Sequence, residues 1–136
     1  MSRKFSRDLV FQLIFQYTFD KKSYNFEEDI MNLNEYDKSD MDFIRKTYTG
    51  VVENYDAIIK IIETNLNKYR LERIYKLDLS IIILAVYELM YSKETSESVI
   101  INEAVELAKR YSTEKSFKFI NGVLGSIVKK EKSNEA

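Results

Sequence analysis

An all-α fold is what this sequence predicts, as one domain over residues 1–136 built from about six to seven helices. Three observations predict it. The chain has no proline and only three glycines in 136 residues, whereas a β-rich domain would need turn residues roughly every 8–12 positions. Its apolar residues recur at spacings of three and four, the period of a helix face. Apolar side chains make up 45% of the sequence and charged ones 32%, a balance that supports a packed core rather than disorder. A domain of this length buries roughly 65–70% of the surface its unfolded chain exposes.

The first helix is predicted over 3–19. Phe5, Leu9, Leu13 and Tyr17 recur every four residues, and Val10, Phe11 and Ile14 widen that face. A polar connector follows at 20–25, then a short acidic helix at 26–33 and a second connector, NEYDK. Ser39-Asp40-Met41-Asp42 resembles a capping box and opens the longest helix. Its stripe runs through Ile44, Tyr48, Val51, Tyr55, Ile58, Ile62, Leu66 and Tyr69. Gly50 within it costs about 1 kcal/mol relative to alanine, which points either to close approach of another helix or to a tolerated surface glycine. A helical turn is predicted over 71–76. Asp78 then caps a helix through Tyr91 that contains SIIILAVYELMY. The β-branched residues would suit a buried strand, but fourteen residues without a breaker decide for a helix. Being apolar nearly all round, it is predicted to be central and buried.

After a polar loop at 92–97, the stretch 98–128, SVIINEAVELAKRYSTEKSFKFINGVLGSIV, holds two amphipathic helices. Ile101, Ala104, Leu107, Ala108 and Tyr111 stripe the first; Phe117, Ile120, Leu124 and Ile127 stripe the second. Lys109, Arg110, Lys115 and Lys118 flank these stripes, and Phe119 sits roughly 100° off the second. Cations beside an aromatic supply what a single-stranded nucleic acid needs: charge for phosphates and a flat face for a base. The plainer reading places Phe119 at the edge of the core.

The net charge of −1 hides an asymmetry. Residues 1–22 carry five basic against two acidic side chains, residues 109–132 seven against two, and residues 23–108 nine against seventeen. A chain sorted this way can show a basic face to one partner and an acidic face to another, although blocks in sequence need not become patches in space. Arg3, Lys4 and Arg7 crowd the start of the first helix, where the helix dipole opposes positive charge. Binding an anion is one reason to tolerate that; a solubilising terminus is the other. Gln12 and Phe15 extend the same region toward bases.

Histidine and cysteine are both absent, which removes the commonest general base, the commonest metal ligand and the best nucleophile. Glu103 and Glu106 share a helix face and read as solvated surface. Gly50, Gly122 and Gly125 all lie within helical pattern, so no glycine loop cradles a phosphate. Binding without a cofactor or metal is expected, not catalysis. The longest apolar run, 81–86, falls far short of the ~18 residues a membrane span needs. With no secretory leader in the pattern, the expected location is the cytoplasm, away from membranes.

Four pieces of the chain resemble the bacterial NusB family of transcription antitermination factors: SRDLVFQLIFQ, FIRKTYTGVVENYDAII, LDLSIIILAVYELMY and, most specifically, INEAVELAKRYSTEKSFKFINGVL. The resemblance implies a helical domain of two small sub-bundles that binds boxA-type RNA in nascent ribosomal RNA transcripts. It also implies NusE, a small-subunit ribosomal protein, as partner, with other Nus factors and RNA polymerase reached indirectly. By position, Arg3, Lys4 and Arg7 fall in the family's arginine-rich segment. Gln12, Phe15, Lys115, Lys118 and Phe119 fall at or near positions implicated in RNA contact, and Glu72 and Asp78 in the region facing the protein partner. Three residues depart from the family pattern. Phe5 stands where many relatives have an arginine. Ile83 stands where an arginine is usual, which puts an internal ion pair in doubt. Lys115 replaces a residue often acidic, which favours RNA. Two other readings compete: a helical protein–protein adaptor without an RNA role, and a stand-alone relative of the domain that opens certain ribosomal RNA cytosine methyltransferases. The second needs a catalytic domain with a cysteine, which this chain lacks. Either a monomer or a homodimer is compatible with the sequence.

Overall fold

Six α-helices and one 3-10 turn make up the described part of the protein, with no strand among the described residues. The structure, a computed structural model, describes residues 3–21, 37–67, 69–92 and 94–135, with backbone alone at 3 and 132–135. The helices are α1 (Arg3–Phe19), α2 (Lys38–Glu53), α3 (Tyr55–Thr64), α4 (Lys76–Tyr91), α5 (Glu97–Tyr111) and α6 (Glu114–Glu135); the 3-10 turn is Leu71–Arg73. The short helix expected at 26–33 lies outside the described residues.

Helix α4 organises everything else. Every residue from Asp78 to Glu88 is buried, as an all-round apolar sequence requires, and α4 packs against each of the other five helices. Helices α1 and α2 pair with each other, and so do α5 and α6. The two groups therefore share α4, and their side chains merge into one contiguous core.

On α1 the helix bounds match the expectation, but the buried stripe is rotated. Ser6, Arg7, Val10, Phe11, Leu13, Ile14 and Thr18 face inward, while Phe5 is 57% exposed. Ser6 Oγ donates to Asp40 Oδ1 at 2.9 Å, tying α1 to α2. That bond also corrects the expected capping box. The N-cap is Asp37, whose carboxylate accepts from the Asp40 backbone N–H at 2.8 Å, and Asp40 turns into the core.

The long helix expected from 39 to 69 is two helices. Asn54 interrupts it: its side-chain amide donates to the Gly50 carbonyl at 2.8 Å, four residues back. Asn65 does the same to the Ile61 carbonyl at 2.8 Å and ends α3. Asn67 follows with φ +57°, the left-handed conformation that asparagine tolerates and that stops helices. Short amide side chains compete with the backbone for its own hydrogen bonds, which is why they break helices. Tyr69 consequently leaves the stripe and lies beyond the helix. Of the two readings of Gly50, close approach holds: a Cβ built there would lie 2.3 Å from the Tyr87 hydroxyl of α4.

Asp78 does not cap α4. The helix begins at Lys76, with Tyr75 in the cap position, and Asp78 is buried within the first turn. Helix α5 is capped by Ser96, whose hydroxyl accepts from the Val99 N–H, and its last turn carries Lys109 and Arg110, the sign the helix dipole favours there.

Candidate nucleic-acid interface

The N-terminal cations do not share one fate. Lys4 is exposed, and the Arg3 side chain lies outside the described residues. Arg7 is 6% exposed and reaches Glu88 on α4. Its Nε donates to Oε1 at 3.0 Å and its Nη2 to Oε2 at 2.9 Å, a two-pronged contact that suits the guanidinium fork. Burial alone would lower the Arg7 pKa; the hydrogen bonds and charge of Glu88, with a contribution from Glu103, hold it above its ordinary value. The expectation that Arg7 is an RNA contact is therefore corrected: its charge is spent inside the protein. Ile83 is buried among apolar side chains and carries no ion pair; the buried pair of the core is Arg7 with Glu88. Two sequence signals pointed to it. Arg7 sits four residues before Phe11 and seven before Ile14, on the buried stripe, and Glu88 lies near the end of the long apolar run of α4, which begins after Ser80.

Gln12 is exposed on α1. Phe15 is half-buried between Phe11, at 6.5 Å, and Phe19, edge-on at 4.9 Å. The same helix joins α5 through Phe11 and Tyr111, 5.2 Å apart, and through an ion pair of Asp8 with Arg110.

Helix α6 presents Lys115 and Lys118 to solvent, with Phe119 half-buried between them and the core. Phe119 meets Tyr69 edge-to-face, ring centroids 5.0 Å apart at 72°. Lys115, Phe119 and Asp78 line one groove of about 940 Å³ together with Tyr69, Arg70, Arg73, Ile74, Tyr75, Thr113, Glu114 and Ser116. Lys118 lies outside that lining, on the neighbouring exposed face of α6. Tyr75 brings the groove to the end of α1, since the adjacent Lys76 donates to the Thr18 carbonyl at 3.4 Å and lies 6.0 Å from the Phe19 ring.

The floor of the groove is fixed by Asp78. Its Oδ1 accepts from Ser112 Oγ at 2.6 Å and its Oδ2 from Ser116 Oγ at 2.8 Å. Thr113 Oγ1 accepts from the Ser116 N–H at 3.2 Å. A buried carboxylate is tolerated only when so satisfied, and here it pins the α5–α6 turn to α4. Glu72 is exposed in the 3-10 turn, 4.0 Å from Arg70, so of the two acids expected to face a protein partner only Glu72 stands at the surface. The sequence gives no role to Arg70 or Arg73 and places Tyr69 on the helix stripe; the asparagine pair at 65 and 67, which ends α3 before Tyr69, is the signal that points elsewhere.

Among the described residues, no group of three or more His, Cys, Asp or Glu side chains is placed to hold a metal ion. No described helix is long and apolar enough to cross a membrane.

The model of the NusB family matches residues 4–129. The transcription antitermination protein NusB of Finegoldia magna is 43% identical over 137 residues, covering 98% of this chain and 98% of its own. Among solved structures, T. maritima NusB superposes with a TM-score of 0.87 at 36% identity, over 95% of this chain and 92% of that one. A structure of the antitermination factors NusB and NusE in complex with double-stranded RNA matches with a TM-score of 0.80 at 28% identity, over 93% of this chain and 96% of that one.

Proposed function

The chain belongs to the NusB family, and we propose that it is a transcription antitermination factor that binds boxA-type RNA of nascent ribosomal RNA transcripts together with NusE. In this role it acts as a single cytoplasmic domain, a binding protein rather than an enzyme, and joins the antitermination complex on RNA polymerase with other Nus factors. The observation that carries the reading is the family match over 4–129, which spans every candidate contact except Arg3. The solved relative with NusE and double-stranded RNA supports both partners.

On this chain the RNA-contacting set is Lys4, Gln12, Phe15, Lys115, Lys118 and Phe119, with Arg3 at its end; Arg7 supports α1 from within. Glu72 faces the basic protein partner. Asp78 acts as a positioning residue, through the serines that hold the α5–α6 turn. Because bases must be unstacked to lie on Phe119, the preferred ligand is single-stranded. Net charge −1 makes RNA binding weak alone and stronger once NusE covers part of the acidic surface. A gel-shift titration with boxA-like single-stranded RNA, a duplex control, and NusE present or absent tests this. Tighter single-strand binding with NusE is expected; equal affinity with and without NusE would overturn the cooperative reading.

A further inference from the structure

Among the groove's side chains outside the contact set above are Tyr69, Arg70 and Arg73. They come from the stretch that Asn65 and Asn67 release from α3 and from the single 3-10 turn that follows. At about 940 Å³ the groove is within the range of clefts that receive small ligands, about 300–1,000 Å³. One wall is the Tyr69–Phe119 pair. With their centroids 5.0 Å apart and edge-to-face, the two rings leave no gap for a base between them. Tyr69 instead fixes the orientation of Phe119 and adds its own surface, 54% exposed. Cations form the rim. Arg73 and Lys115 make no ion pair among the described residues, and Arg70 has Glu72 only at 4.0 Å, with both side chains 72% exposed, a contact too loose to occupy it. Glu114 is the acid among them. Guanidinium groups both stack on bases and grip phosphates with two prongs. The floor, held by Asp78, Ser112 and Ser116, does not need to rearrange on binding.

We propose that this groove is a pocket for one unstacked nucleotide of the bound RNA, with the Tyr69–Phe119 wall stacking its base and Arg70, Arg73 and Lys115 taking its flanking phosphates. The proposal rests on the RNA-binding function above and adds the specificity element to it: one position in the strand is read by extrusion.

The test is an anisotropy titration with NusE present, using boxA-like single-stranded RNA and a series in which one nucleotide at a time is made abasic. In the unaltered protein one abasic position costs about tenfold in affinity. In Tyr69→Ala the intact RNA binds about tenfold more weakly, and that abasic position costs nothing further. Arg73→Gln keeps the abasic profile and lowers the slope of log affinity against log salt by about 0.7. Additive losses, or a Tyr69→Ala variant that binds like the parent, overturn the pocket while leaving RNA binding intact. A Tyr69→Ala variant that loses NusE affinity without RNA, its abasic profile unchanged, assigns the groove to the protein partner and also overturns it. If the unaltered protein binds none of the RNAs, the functional reading itself has failed.

Discussion

Arg7 with Phe11 on α1, and Lys115 and Lys118 with Phe119 on α6, are alike in sequence as cations beside aromatics, yet the structure closes one region and leaves the other open. On α1 the cation lies in phase with the apolar stripe, so it enters the core and meets Glu88 at 2.9 Å. On α6 both lysines lie out of phase with Ile120, Leu124 and Ile127 and stay exposed. Phase against the stripe, more than residue type, decides whether a charge supports the fold or serves a ligand.

The largest expected effect probes the closed region. Arg7→Ala leaves Glu88 buried without its partner and should cost about 3–5 kcal/mol of stability. Lys4→Ala, one turn away at the surface, should stay within about 0.5 kcal/mol. Chemical denaturation of the two variants makes the comparison, and an Arg7→Ala protein as stable as Lys4→Ala would break it. Replacing both partners together, Arg7→Met with Glu88→Leu, should recover most of the loss, because apolar pairs of similar size often match buried ion pairs.

Next in size are the glycines. Gly50→Ala drives a methyl into the Tyr87 ring, whose nearest carbon would lie 2.5 Å away, and should destabilise by about 1–3 kcal/mol. Gly125, on α6, has nothing within 4 Å of a built Cβ, so its alanine variant should gain up to about 1 kcal/mol. Thermal melts of the pair show opposite signs if the two regions differ as described; a stabilised Gly50→Ala protein would mean that α2 and α4 can separate freely.

The helices were largely legible in the sequence because apolar phase carries them: α1 and α4 end where the pattern ends. What escaped was local competition for backbone carbonyls. Asn54 and Asn65 do not interrupt the apolar spacing around them, and their hydrogen bonds to the Gly50 and Ile61 carbonyls show how they end helices. The site was half legible for the same reason. Lys115, Lys118 and Phe119 lie on a helix whose face can be counted, whereas Tyr69 leaves the stripe on which counting places it, and Arg70 and Arg73 reach the groove through a turn that has no face to count. Asp78 has the residue type of a cap and the burial of a core residue; its serine partners lie 34 and 38 positions away, beyond any local pattern.

The smallest effect is in alkaline solution. Burial raises the pKa of Tyr87, of Tyr55 and of Tyr17 beside Tyr55, with nearby carboxylates adding to it. A raised folded-state pKa contributes stability that is fully present below the unfolded value near 10 and is lost as pH rises through the folded value. Tyrosinate absorbance followed upward from about pH 9 should show a late component that shrinks in Tyr87→Phe. A variant with an unchanged titration would remove Tyr87 from the closed region.

Whether the open region is the RNA surface is decided most directly by one salt series of single-stranded RNA binding, run on Lys118→Ala and Phe119→Ala beside the unaltered protein, with melts in parallel. Lys118→Ala should reduce the slope of log affinity against log salt by about 0.7. Phe119→Ala should lose about 1–3 kcal/mol of affinity at an unchanged slope while staying folded. A Phe119→Ala protein that melts early but binds RNA as well as its parent, together with an unchanged slope for Lys118→Ala, would contradict the assignment of this face to RNA.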